Sequence, residues 1–199
     1  CSGYSFGRGV MLVEEMVQFA ANAGLPAVAI ADMMTLAGAY ELEKACRLAG
    51  MKAIIGSSFT LETGGEIVLI AQNHEGYVNL SRLITDCHLK EPRQFPLLRW
   101  GSLYSCEGLL CLTGGHNGPL VPMLTRRDFA GAQALISRLV SLFSGRVFVE
   151  IERSYLPFER QVNGYLLELA EEMGLMAVAG GVVTHARPGH FPVQDVITC

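Results

Sequence analysis

The sequence predicts an α/β fold of parallel strands with helical cover, closed into a distorted barrel; an open doubly wound parallel sheet is the alternative. Three observations carry that prediction. Short apolar runs of strand length alternate with amphipathic helical stretches along the chain. The strand-like runs are apolar on both faces, as strands covered by helices on both sides are. Five or more such units follow one another through mostly short loops, which favours closure over an open sheet.

Taken in order, residues 10–23 place Val13, Met16, Val17 and Ala20 on one helical face. Gly24 and Pro26 stop that helix, and Ala27–Ala31 is the first strand. A helix over about 37–49 ends at Gly50, and Ala53–Ile55 is the next strand. Residues 57–72 read as a hairpin, Phe59–Leu61 and Ile67–Ile70 around Thr63-Gly64-Gly65. A helix over about 75–89 leads into an irregular stretch with prolines, 90–105. Leu109–Leu112 is a strand ending at Gly114-Gly115. Thr125-Arg126-Arg127-Asp128 has capping-box spacing and opens a helix turning Ala132, Ile136, Leu139, Val140 and Phe143 inward. Val147–Val149 is a strand. Pro157 suits the first turn of a helix that buries Val162, Leu166, Leu169 and Met173 and ends at Gly174. Met176–Ala179 is the last strand.

A chain of 199 residues that is 50% hydrophobic fills one sizeable core, so a single domain over 1–199 is expected. Only 17% of residues are charged and the net charge is -4, which speaks against holding nucleic acid by a broad positive field. Mean hydropathy is +0.33, yet no apolar run approaches the ~18 residues of a membrane-spanning helix. No membrane partner is therefore expected. The six cysteines, Cys1, Cys46, Cys87, Cys106, Cys111 and Cys199, form no CxxC pair and read as reduced cytoplasmic thiols. The chain opens at Cys1 without a Met and stops at Cys199 inside a helical pattern, so it reads as a fragment of a longer chain.

In either architecture chemistry gathers at the C-terminal ends of strands. These lie around Asp32, Gly56–Ser58, Gly114–Gly118, Glu150–Ser154 and Gly180–His185. A hydrolytic metal centre needs three or more converging His, Asp, Glu or Cys ligands. The candidates are Asp32, His116, Glu150 and His185, and nothing in their spacing demands a centre. Asp32 equally suits a turn or helix cap, and His116 a loop between glycines. Of Glu150 and Glu152, only one is expected to face a barrel interior. His74, His88 and His190 read as surface histidines. Lys90, Arg93, Arg99, Arg126 and Arg127, with Trp100 among them, read as solvated surface. No flanked nucleophile and no phosphate-binding loop appears, so no catalytic residue is assigned.

Ordered blocks along the chain resemble one family. Tyr4-Ser5-Phe6 with Gly9, then Gly24–Asp32 with Leu36-Ala37-Gly38-Ala39, then Gly50–Gly56 are three of them. Asn73, Glu75, Gly76, Tyr77, Asn79, Leu80 and Leu83 form a fourth, and Gln194–Cys199 closes the series. Together they resemble the PHP (polymerase and histidinol phosphatase) domain of bacterial DNA polymerase III alpha subunits, most of all the error-prone branch. That resemblance implies a distorted (β/α)7 barrel binding up to three ions of zinc, manganese or iron. It also implies either phosphoesterase or 3′–5′ proofreading exonuclease activity, or an inert domain bracing the polymerase.

Several positions depart from the family pattern. Cys1 falls where the second His of a His-x-His pair stands, Arg8 replaces an Asp, and Met33 stands at a His. Ser58 replaces a Glu, Gly115 a Cys or His, Ser154 a frequent His, and Val182 and Thr184 the closing Asp-x-His. The resemblance therefore implies a dismantled metal site, with no cofactor expected. Arg8 is expected to pair with the leftover Asp32. A non-catalytic role in replication or translesion synthesis follows. Its partners would be the rest of the polymerase chain and a proofreading or accessory subunit, with DNA reached through the parent polymerase. An altered ligand set serving a phosphoesterase or exonuclease is the alternative.

Overall fold

The computed structural model describes residues 1–90, 96–185 and 187–198; Arg93 and Cys199 lie outside them. The first elements are α1 (Val13–Asn22), β1 (Ala27–Met33), α2 (Ala39–Leu48), β2 (Lys52–Thr60), β3 (Glu66–Ala71) and α3 (His74–Lys90). After them come β4 (Leu109–Leu112), α4 (Leu120–Thr125), α5 (Phe129–Leu142), β5 (Val147–Ile151), α6 (Glu159–Glu172), β6 (Met176–Ala179) and α7 (Phe191–Thr198). The chain is a mixed α/β protein, and its contacts divide it into two compact units. One is Cys1–Ser57 with Val182–Cys199; the other is Ser58–Gly181.

In the first unit the amphipathic faces read from the sequence meet as expected. Val13, Val17 and Ala20 of α1 pack with Val28 and Ile30 of β1 and with Leu42 and Cys46 of α2. Past Asn22 the Leu25 amide reaches back to the Ala20 carbonyl at 3.0 Å, closing the last turn of α1. The apolar run at Ala53–Ile55 and the first hairpin arm prove to be one strand, β2, which does not stop at Gly56–Ser58. Ser57 is fully buried, and its hydroxyl donates to the Asp32 carbonyl at 2.7 Å.

In the second unit, which begins at Ser58 within β2, the strand order is β3-β4-β5-β6, with the end of β2 beside β3. The hairpin between β2 and β3 is as read, closed by the Leu61 amide on the Gly65 carbonyl at 2.9 Å. β3 and β4 then run antiparallel, with Leu69 opposite Cys111, while β4–β5 and β5–β6 are parallel. Beyond the hairpin, this second antiparallel step interrupts the parallel sheet expected from the alternation of strands and helices. Six strands are present among the described residues. Leu120, Leu124, Ala132, Ile136, Val149, Val162 and Leu166 form the core under α4, α5, α6 and β5.

The cap of the next long helix lies one turn later than the Thr125–Asp128 spacing suggested. A short helix, α4, precedes it, and the Thr125 hydroxyl bonds back to the Val121 carbonyl at 2.7 Å. Asp128 caps α5 instead, accepting the Gly131 amide at 2.9 Å. Pro157 lies just before α6 and not in its first turn, since Phe158 is the cap; the buried Glu159 reaches back to the Ser154 and Leu156 amides at 2.8 and 3.0 Å. That carboxylate fixes the loop following β5.

Candidate functional site

Strand β1 carries Asp32 near its end, where the carboxylate is 2% exposed. A buried carboxylate is costly unless donors surround it. Here the donors come from the N-terminal segment. The Ser2 amide lies 2.6 Å from Oδ1, the Ser2 hydroxyl 2.7 Å from Oδ2, and the Ser5 hydroxyl 2.7 Å from Oδ1. Ser5 in turn accepts the Met33 amide at 3.0 Å, and both serines are buried. These bonds supply the compensation that the sequence reading had assigned to Arg8, whose own carbonyl accepts the Gln194 side-chain amide at 2.6 Å. Charge-assisted bonds of this kind are the strong ones.

The second unit holds a pair of acids. Glu150 is the last residue but one of β5 and Glu152 lies just past the strand, 7% and 8% exposed. The sequence expectation of only one acid inside does not hold: residues two apart along an extended chain share a face, so Glu152 follows Glu150 inward. Burial pushes the Glu150 carboxyl above its usual range, and the Glu152 charge adds to that; the Gly114 amide works against both. His116, in the tight turn after β4, sets its Nδ1 3.2 Å from Glu152 Oε2 and its ring edge-on to Phe158 at 5.9 Å. Among the described residues His116 Nε2 is buried without a hydrogen-bond partner. A Cβ on Gly115 would collide with the Glu152 carboxylate, and one on Gly180 with that of Glu150. The two acids therefore occupy room that side chains at those positions would take.

A raised carboxyl means that the folded state holds its proton more tightly than the unfolded one. Stability from Glu150 is then full below the ordinary carboxylate value and is lost as pH rises through the raised one. Glu150→Gln removes that penalty while keeping an acceptor for Gly114. Its melting temperature should exceed the wild-type value near neutrality, and the gain should vanish in acid. A gain that grows on acidification would contradict this assignment.

The remaining sequence candidates are dispersed. His185 Nδ1 lies 3.1 Å from the Thr184 hydroxyl, and its ring packs edge-on to Phe191 at 6.0 Å. Ser58 is buried in β2, Met33 ends β1, and Val182 is exposed. Cys1 is partly buried. The structure thus joins His116 with Glu152, and Glu150 with Glu152, while Asp32 is joined to Ser2 and Ser5. Among the described residues no group of three or more His, Cys, Asp or Glu side chains is placed to hold a metal ion. That donor set does not fit a three-ligand centre. Ser2, Ser5 and Glu152 were missed as site residues; only the position of Glu152 just past a strand end signalled it.

Comparisons place this arrangement among known proteins. The family model described as the PHP domain matches residues 2–154. An error-prone DNA polymerase of Symbiobacterium thermophilum is 32% identical over 219 residues, spanning 100% of this chain and 20% of its own. A DNA polymerase III subunit alpha of Caulobacter vibrioides is 30% identical over 211 residues, spanning 100% of this chain and 18% of its own. The chain thus spans about a fifth of the length of these relatives.

Among solved structures, a protein of Bifidobacterium adolescentis assigned as a metal-dependent phosphoesterase superposes with a TM-score of 0.55 at 13% identity. The match covers 91% of this chain and 85% of that one. An amidohydrolase of Chromobacterium violaceum, with bound sulfate and no metal, gives 0.53 at 13%, covering 96% and 93%. At that identity both speak for the fold. The expectation of no cofactor is overturned here. The family is one of metal-binding domains, so replaced ligand positions do not license it. With the family model matched over most of its length, the chain belongs to the PHP domain family.

Proposed function

We propose that this chain is a single PHP domain, 1–199, of a longer DNA polymerase of the polymerase III alpha or error-prone kind. In this reading it braces the polymerase and catalyses no reaction itself. Its strands would form part of a distorted (β/α)7 barrel, and the parent polymerase, working in the cytoplasm, would contact DNA and a proofreading or accessory subunit. The observation that supports this most is the state of Asp32. Its two oxygens are committed to Ser2 and Ser5 within a buried network, and a carboxylate so engaged serves packing and fold rather than turnover. Arg8, Met33, Ser58, Gly115, Val182 and Thr184 at the family's ligand positions support the same reading.

The test uses the parent polymerase carrying Asp32→Ala. Incorporation of nucleotides should be lost at a lower temperature than in the wild type, while the initial rate at a permissive temperature stays the same. An unchanged inactivation temperature would sink the bracing role.

A second reading rests on the buried acids. Glu150, Glu152 and the unpartnered His116 Nε2 gather at the ends of β4 and β5. They would serve a phosphoesterase or 3′–5′ exonuclease with an altered ligand set, and Glu152→Gln would then abolish turnover.

A further inference from the structure

On the first unit, Tyr4, Phe6, Met11, Leu12, Glu14 and Glu41 line a cavity of about 410 Å³, within the size range of ligand pockets. Its floor is apolar: Met11 is 3% exposed. Its lips are apolar too, because Phe6 and Leu12 project into solvent, 89% and 62% exposed. Side chains that project in this way cover themselves against a surface, which favours a polypeptide over a small molecule.

The rim is acidic. Glu14 stands exposed in the first turn of α1, and Glu41 accepts the Tyr4 hydroxyl at 2.8 Å. Neither carboxylate has a cationic partner among the described residues. A second copy of the chain is a poor occupant, since an isologous contact would bring the same two acids and a net charge of -4 against each other.

We propose that this groove docks a basic, apolar segment of a separate partner protein. Its apolar side chain rests on Phe6, Leu12 and Met11, and its Arg or Lys reaches Glu14 and Glu41. The inference rests on the bracing role and names the chemistry of the partner held.

The probe is a fluorescein-labelled peptide with the core Leu-Arg-Phe-Lys-Leu, set against a twin in which both basic residues are Glu. Fluorescence anisotropy with the full parent polymerase should give a dissociation constant for the basic peptide about tenfold below that of the twin, rising with salt. Glu14→Lys and Leu12→Ser should each weaken the basic peptide by about fivefold or more. Unchanged melting curves serve as the check on folding. Equal binding of the two peptides, or binding indifferent to both substitutions, would overturn the proposal. Either failure would leave the bracing role standing, because that role is judged by polymerase inactivation and not by peptide binding.

Discussion

Asp32→Ala should destabilise the chain by about 3–5 kcal/mol, because it strands three donors on buried residues. The Ser2 amide and hydroxyl and the Ser5 hydroxyl all end on that carboxylate at 2.6–2.7 Å, and both serines are buried. For a chain of this size each kcal/mol moves the melting temperature by roughly 2–4 °C, so a fall on the order of 10 °C is expected. Asp32→Asn keeps the shape and one acceptor oxygen, and a serine hydroxyl can turn to accept from the amide. It should cost about 1–2 kcal/mol. Thermal melts of the two variants side by side check the ranking. Equal losses would mean that charge, not hydrogen-bond number, holds the N-terminal segment.

Gly114→Ala should be of similar severity, at about 2–4 kcal/mol, for two separate reasons. Gly114 sits at φ 83° and ψ 17°, in the left-handed region, where a Cβ is strained. The added carbon would also collide with the Glu66 carbonyl and approach the Gly118 Cα at 3.1 Å. Both obstacles are backbone, so neither can swing aside. Any shift of residue 114 also withdraws its amide from the Glu150 carboxylate. Loss of stability should therefore come with a still higher Glu150 carboxyl, visible as a further fall in melting temperature toward neutral pH. Urea denaturation at two pH values reads both effects; a variant as stable as the wild type would show that this turn is not held against β3.

The fold was legible where local pattern decides it. The inward stripe Val13, Val17, Ala20 and the runs at β1, β4, β5 and β6 follow from periodicity and strand length. The direction of β4 against β3 was not, because an apolar run reads the same in either sense. Helix α4 was missed since six residues containing Pro122 are too few to show a period. Gly56-Ser57-Ser58 looked like a strand end, and only the bond from Ser57 to the Asp32 carbonyl explains why the strand continues.

The same limit governs the site. Asp32 was found because an acid follows an apolar run. Its partners lie 30 and 27 residues away, beyond any local spacing rule. Glu152 was set aside although residues two apart on an extended chain share a face, so Glu150 already pointed to it. The cofactor expectation failed for a different reason: it read the absence of familiar side chains at familiar positions as a property of the whole domain.

The most direct test of the non-catalytic reading is hydrolysis itself. The purified chain is incubated with 3′-labelled single-stranded DNA and with bis-p-nitrophenyl phosphate, in manganese, zinc and magnesium separately. Release of label and of nitrophenol should equal the buffer blank, and Glu152→Gln should be indistinguishable from the wild type. Metal-dependent release that disappears in Glu152→Gln would contradict the account and make the acids after β5 an active site.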